Sequence, residues 1–131
     1  MISVDLYIRK YMQDSLTQTI IVQEHQTASQ YGSGLLPVFA TPALVALMEN
    51  TAMQLIKLPE GSSSVGISIR VKHLKASPVG SEIKCKASIT AVEGRKYSFE
   101  LVATDATGDI IGEGVHERIV IDIEKFMSKL K

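Results

Sequence analysis

The sequence of 131 residues has no tryptophan, a single cysteine and only 5% aromatic residues, and neither sign of charge is in excess: 14 Lys and Arg balance 14 Asp and Glu. Each shortage removes a class of function. Without surplus cations the chain is ill suited to general binding of nucleic acid or an anionic membrane, which needs Lys and Arg to neutralise phosphates. Scarce aromatics leave base stacking and aromatic cages poorly supplied. The lone Cys85 excludes an internal disulfide and a multi-cysteine metal site, and it points to a reducing, cytoplasmic setting. The longest apolar runs, Leu35–Ala40 and Ala43–Met48, fall far short of the ~20 residues a membrane span needs. Met1–Met12 carries Asp5, Arg9 and Lys10 where a signal peptide needs an unbroken apolar core. What is present is a 45% hydrophobic composition, enough for a real core, and the length suits one domain over residues 1–131.

The hydrophobic pattern divides the chain. Thr41-Pro42 ahead of Ala43–Lys57 predicts a helix over about residues 42–57, with Thr41 as N-cap and a stop before Pro59-Glu60-Gly61. Its apolar residues go most of the way round, which predicts burial. After it the period changes to two. Val65, Ile67, Ile69, Val71 and His73 share one phase; so do Ile83, Cys85, Ala87, Ile89 and Ala91, and then Tyr97, Phe99, Leu101 and Ala103. Short turn-like connections at Ser77–Gly80, Glu93–Arg95 and Ala106–Asp109 predict antiparallel neighbours in a meander. Ile110–Ile121 is a further strand, Thr17–Gln23 a strand before the helix, and Asp122–Lys131 one or two closing helical turns. One antiparallel sheet with one apolar face, and one apolar helix to cover it, predict an α+β protein with the sheet wrapped round the central helix, the hotdog fold. Long edge strands predict pairing with a second copy.

Several polar residues interrupt apolar phases. Glu49 lies on a stripe with Val45, Ala52, Met53 and Ile56; there a carboxylate loses hydration and its charged form is disfavoured, the condition for a general base. A structural ion pair is the plainer account. His73 points to the covered face of its strand, as a hydrogen-bonded core residue or a catalyst. Thr41 is an N-cap first, yet a helix start also suits an oxyanion or a thioester carbonyl. Eight residues separate Thr41 from Glu49, about 12 Å along a helix, so they cannot touch. One reaction can use both only if substrate lies along the helix or a second subunit supplies one of them. His25 and His116 are expected at the surface or an edge, with Arg118 on the face of His116. Three histidines without ligand spacing argue against a metal, and no phosphate loop, dinucleotide turn or nucleophile elbow is present.

Val38-Phe39-Ala40-Thr41-Pro42 leading into Ala46-Leu47-Met48-Glu49, then Val65-Gly66, Val71-Lys72-His73 and Val92-Glu93-Gly94-Arg95, and finally Gly114-Val115-His116-Glu117-Arg118 with Glu124-Lys125-Phe126, resemble the fluoroacetyl-CoA thioesterase-like family of hotdog proteins over roughly residues 17–130. The resemblance implies a homodimer, or a dimer of dimers, that hydrolyses acyl-CoA thioesters without metal or cofactor. It implies that Thr41, Glu49 and His73 carry catalysis and that Gly66 and Arg118 contact substrate. It stops short of fluoroacetyl selectivity, because Ser29–Pro37 is short and holds no Phe where the specialised enzyme has an aromatic lid. The expected function is hydrolysis of a short-chain acyl-CoA: Glu49 activates water or attacks the thioester, His73 assists proton transfer to the leaving thiolate, and Thr41 holds the carbonyl. Arg118, Lys72 and Lys84 are candidate cations for the coenzyme A phosphates. A non-catalytic acyl-CoA-binding module is the alternative. An enoyl-CoA hydratase is weaker, since that chemistry needs a His near the helix start and none lies near Thr41 in the sequence.

Overall fold

The computed structural model describes residues 14–130; the charged opening Met1–Met12, with its expected lack of a signal peptide, lies outside them. Strand β1 (Ser15–Ile21) leads through a 3-10 turn and a short helix α1 (Ala28–Tyr31) to helix α2 (Thr41–Met53). Then follow β2 (Ser62–His73), β3 (Glu82–Glu93), β4 (Lys96–Asp105), β5 (Ile110–Asp122) and a last short helix α3 (Ile123–Ser128). The strands form one antiparallel sheet in the order β1-β3-β4-β5-β2. This is the α+β layout the hydrophobic pattern predicts, with α2 lying on the inner face of the sheet.

The meander holds only from β3 to β5. There the tight turns carry glycines in the left-handed region, Gly94 at φ 61° and Gly108 at φ 87°, as strand reversals demand. Contrary to expectation, β2 does not neighbour β3; it closes the far edge against β5. The reason is reach. Residues 74–81 span up to about 26 Å, while three strand spacings amount to only about 14 Å, so this connection can cross where a two-residue turn cannot. It is anchored on the way by Leu74 N–H to Ile111 O at 2.7 Å and Phe39 N–H to Ser77 O at 2.8 Å.

Helix α2 buries Ala43, Leu44, Leu47, Met48, Thr51 and Ala52 against Ile83, Cys85, Ala87, Phe99, Leu101 and Ala103. Gly112 makes this approach possible, and Gly114 leaves room for the neighbouring strand β2. A Cβ at Gly112 would lie 2.7 Å from Leu44 Cδ2, and one at Gly114 would lie 2.9 Å from the Arg70 carbonyl oxygen. The helix stops at Met53, four residues before the predicted end. Leu55 and Ile56 leave it through N–H bonds to Ala52 O and Met53 O, and both become buried; core burial there outweighs helical continuation. Nor is α2 covered on all sides. Thr41, Ala46, Asn50 and Met53 are exposed, with Val45 and Glu49 half-buried between them. From this stripe Thr41 and Glu49 reach β2, whose outer edge pairs with no strand among the described residues, while Asn50 is tied through Gln54 to Gln18 of β1.

Candidate active site

The predicted residues gather in two clusters on the inner face. At the start of α2, Thr41 Oγ1 lies 2.8 Å from His73 Nδ1, at the end of β2. Thr41 is the first helical residue and Ala40 stands at the cap position, with no side-chain capping bond. The hydroxyl expected to cap the helix is therefore engaged by His73 instead. That contact also removes the sequence argument against a hydratase: a His absent from the helix start in sequence is present there in space. His73 Nε2 is buried with no partner. Either the ring or the hydroxyl can donate in the Thr41–His73 bond; with the proton on Nδ1 the Thr41 O–H is free to donate outward. Phe39 meets the ring edge-on. A cleft of about 290 Å³ opens beside the pair, lined also by Ala28, Val38, Ala40, Leu74 and Lys75.

Two helical turns on, Glu49 faces Arg118, with Oε2 and Nη1 3.9 Å apart. The expected desolvation of Glu49 is not found within the chain: its side chain is 40% exposed and looks at a guanidinium, not at an apolar wall. Arg118 is the buried member. Its Nε donates to Ser64 Oγ at 2.8 Å, Nη2 to Ser64 O at 2.9 Å, and Nη1 lies 3.2 Å from His116 Nε2. Gly66 completes the group; a Cβ there would come within 3.1 Å of both Glu49 Oε2 and His116 Cε1. The clusters remain about 12 Å apart along the helix, and nothing in one chain brings them together.

Gly66 faces inward only because of a bulge. The β2–β5 register shifts between Gly66 and Ser68, which reverses the alternation, as bulges do. The single phase predicted from Val65 to His73 is therefore wrong in its first half: Gly66 and Ser64 turn inward, Val65 falls on the opposite face, and Ile67 is 51% exposed. His73 keeps its predicted side. His25 is exposed as expected, but His116 is not; it is 2% exposed and stacks on Phe99. The signal for it lay in the alternation of Gly112, Gly114, His116 and Arg118 against Glu113 and Glu117. Small residues beside a helix and acids toward water identify the inner phase. Lys72 and Lys84 lie in the outward phase of their strands, away from Thr41 and Glu49. An outer cleft of about 380 Å³, lined by Arg70, Lys72, Glu100 and Glu113, holds one candidate cation, Lys72, and none of Thr41, Glu49, Gly66, His73 or Arg118. Cys85 is buried, which pushes its thiol up and leaves it unreactive. Among the described residues no three His, Cys, Asp or Glu side chains converge as metal ligands would, and no helix is long and apolar enough to cross a membrane.

Burial lowers His73 below the ordinary imidazole value of 6.5. His116 is also lowered, chiefly by burial and further by Arg118, against the opposing bond to Ser68. A depressed imidazole means that the unfolded chain binds the proton more readily, so stability rises with pH through this window. The contribution is complete above the unfolded value and is lost as pH falls through the folded ones. The urea midpoint is expected to hold above about pH 6.5 and to decline between about pH 6.5 and pH 5, above the range where ordinary carboxylates titrate. A flat midpoint over that interval would contradict the burial of both rings.

The family model for the fluoroacetyl-CoA-specific thioesterase matches residues 22–124. A fluoroacetyl-CoA thioesterase of Streptantibioticus cattleyicolor is 41% identical over 96 residues, 72% of this chain and 68% of that protein. A solved structure of the fluoroacetyl-CoA thioesterase FlK has a TM-score of 0.84 at 35% identity, covering 91% of this chain and 93% of its own. A mutant of FlK solved in complex with acetyl-CoA matches with the same TM-score at 34% identity, over 91% of this chain and 95% of that one. A hot-dog-like protein from Thermanaerovibrio acidaminovorans, 22% identical with a TM-score of 0.82 over 92% of this chain and 90% of that one, shares the fold.

Proposed function

Since the chain belongs to the fluoroacetyl-CoA-specific thioesterase family of hotdog proteins, and is thereby an acyl-CoA thioester hydrolase, we propose that it is a homodimeric, cytoplasmic, single-domain enzyme for short-chain acyl-CoA. Its reacting groups are Glu49 and Thr41, with His73 positioning Thr41. The observation that carries the assignment is the Thr41–His73 contact at the start of the helix that presents Glu49 beside Arg118.

In this reading Glu49 takes a proton from water as the water oxygen bonds to the thioester carbonyl carbon. The oxygen that becomes negative accepts a hydrogen bond from the Thr41 hydroxyl. His73, donating from Nδ1, holds that hydroxyl in place, so it acts through Thr41 and not directly on the thiolate. The C–S bond then breaks, and the proton held by Glu49 passes to sulfur. Direct attack by Glu49, through an acyl-Glu anhydride, uses the same positions; oxygen-18 entering the protein in a single turnover would identify it.

The 12 Å between the clusters supports a dimer. Thr41 and Glu49, on the open stripe of α2, both reach β2, whose outer edge is open among the described residues. A twofold axis passing near Val45 and Ala46 sets two such stripes antiparallel, with Thr41 of one protomer facing Glu49 of its partner. The same contact would cover Glu49 and supply the dehydration that one chain does not. A mutant of FlK, 34% identical to this chain, was solved in complex with acetyl-CoA, which supports a short acyl group. The segment Ser29–Pro37 holds no Phe, which supports an unsubstituted one.

The test is thiol release from acyl-CoAs graded by length and α-substituent. The highest kcat/KM is expected at chains of about two to four carbons, in line with the acetyl-CoA held by the related FlK mutant. A maximum at long chains, or a strong preference for fluoroacetyl-CoA over acetyl-CoA, would overturn the substrate assignment.

A further inference from the structure

We propose that His116 is a positioning residue: as a neutral imidazole it holds the buried Arg118 guanidinium in place against Glu49. The inference rests on the reading of Glu49 as the reacting carboxylate, and its geometry stands apart from that reading.

Hydrogen-bond chemistry determines the state of the ring. His116 Nδ1 is 2.7 Å from the Ser68 carbonyl oxygen. A carbonyl only accepts, so Nδ1 carries a proton. At the other nitrogen, Nε2 lies 3.2 Å from Arg118 Nη1. A guanidinium only donates, so Nε2 carries a lone pair. The two bonds together define a neutral ring of the Nδ1–H tautomer, and a second proton would set two donors against each other beside a fixed positive charge. Phe99 stacks on the ring at 6.0 Å between centroids, which leaves it little freedom to turn. Glu117, on the same strand, and Glu49 are the acids that oppose its neutral state; burial and Arg118 prevail over them.

Arg118 gains its orientation from this ring and from Ser64. Three of its bonds go to Ser64 Oγ, Ser64 O and His116 Nε2, and the Nη1 that meets His116 is also the one nearest Glu49 Oε2. The carbonyl that binds His116 lies at the β2 bulge. The bulge in turn brings Gly66 inward beneath the carboxylate. One histidine thus links the strand irregularity, the guanidinium and Glu49. Without an acceptor at Nε2 the guanidinium loses one of its fixed partners, and the carboxylate next to it loses its fixed counter-charge.

Two substitutions separate positioning from structure. His116→Asn places an amide where Nδ1 was, so it still donates to Ser68 O but offers nothing to Arg118. His116→Gln extends to the Nε2 position, so it still accepts from Arg118 but leaves Ser68 O unserved. His116→Asn is expected to keep its melting temperature near wild type and lose about 10- to 100-fold in kcat, the scale of a misplaced reacting group, with KM within about twofold. His116→Gln is expected to melt lower and retain most of the rate. Rate that follows stability in both variants would show a purely structural histidine, and full kcat in His116→Asn would overturn the proposal. Nitrogen-15 shifts of the ring at pH 7 give an independent reading: the neutral Nδ1–H form is expected, and an Nε2–H or doubly protonated ring would also overturn it. If Glu49→Gln proved fully active, the catalytic reading would fall, while the nitrogen shifts would still decide the geometry.

Discussion

Glu49→Gln is expected to lower kcat for acetyl- or propionyl-CoA by about 10²- to 10⁴-fold, the range for removal of a general base, and to leave the fold intact. Gln has nearly the same size, and Glu49 makes no hydrogen bond to Arg118 at 3.9 Å that the change would break, so substrate placement and KM should change little. What disappears is the capacity to hold the proton that must leave water and later reach sulfur. The amide cannot be a nucleophile of comparable strength either, so the loss is expected whether the enzyme activates water or forms an anhydride. The cost in stability is small. The Glu49 side chain is 40% exposed and its oxygen is 3.9 Å from Arg118, a separation at which solvent screening reduces an ion pair to about 1 kcal/mol or less. Thiol release gives the rate and thermal melting the fold. A folded Glu49→Gln protein with undiminished hydrolysis would sink the assignment.

A mixed dimer should recover what two inactive proteins lack. Thr41→Ala alone is expected to lose about 10²- to 10³-fold, as removal of one oxyanion donor does, and Glu49→Gln loses at least as much. If each site takes Thr41 and His73 from one protomer and Glu49 from its partner, a heterodimer of the two variants has one site with both defects and one with neither. Purified heterodimer should then run at about half the wild-type rate, a gain of roughly 50-fold or more over either parent given those losses. If each site were built within one chain, both sites would carry one defect and no activity would return. Differentially tagged chains, co-expressed and purified through both tags, make the measurement. The 12 Å between Thr41 and Glu49 along one rigid helix is the physical reason to expect the first outcome.

How far the sequence could be read depended on the range of the interactions involved. The alternations in β3 and β4 placed Ile83, Cys85, Ala87, Phe99, Leu101 and Ala103 on the inner face, and the structure buries all six. Thr41-Pro42 located the start of α2, although the Thr41 hydroxyl turned out to serve His73. The far end was overestimated because Leu55 and Ile56 continue the apolar character of the helix while burying themselves outside it. β2 was misread halfway, since a bulge adds one residue to a strand without altering its composition. The isolated Gly66 was the one local sign of it. His116 was misplaced because Ile110–Ile121 is less cleanly patterned than the strands before it, so the inward phase of Gly112, Gly114, His116 and Arg118 did not stand out.

The sequence by itself determined the elements, the apolar face of nearly every one, the α+β class and the residue types available for thioester chemistry. These follow from spacings of two, three and four residues, which are local properties of the chain. Only the tertiary structure decided that β2 lies beside β5 and not β3, that Thr41 meets His73 across 32 residues, and that Arg118 is held by Ser64 across 54. Periodicity carries no information about which distant strand supplies a partner, nor about the one-residue register shift that turns Gly66 toward Glu49. Those depend on closing the sheet round the helix, where the cost of any buried polar group left unpaired selects a single register.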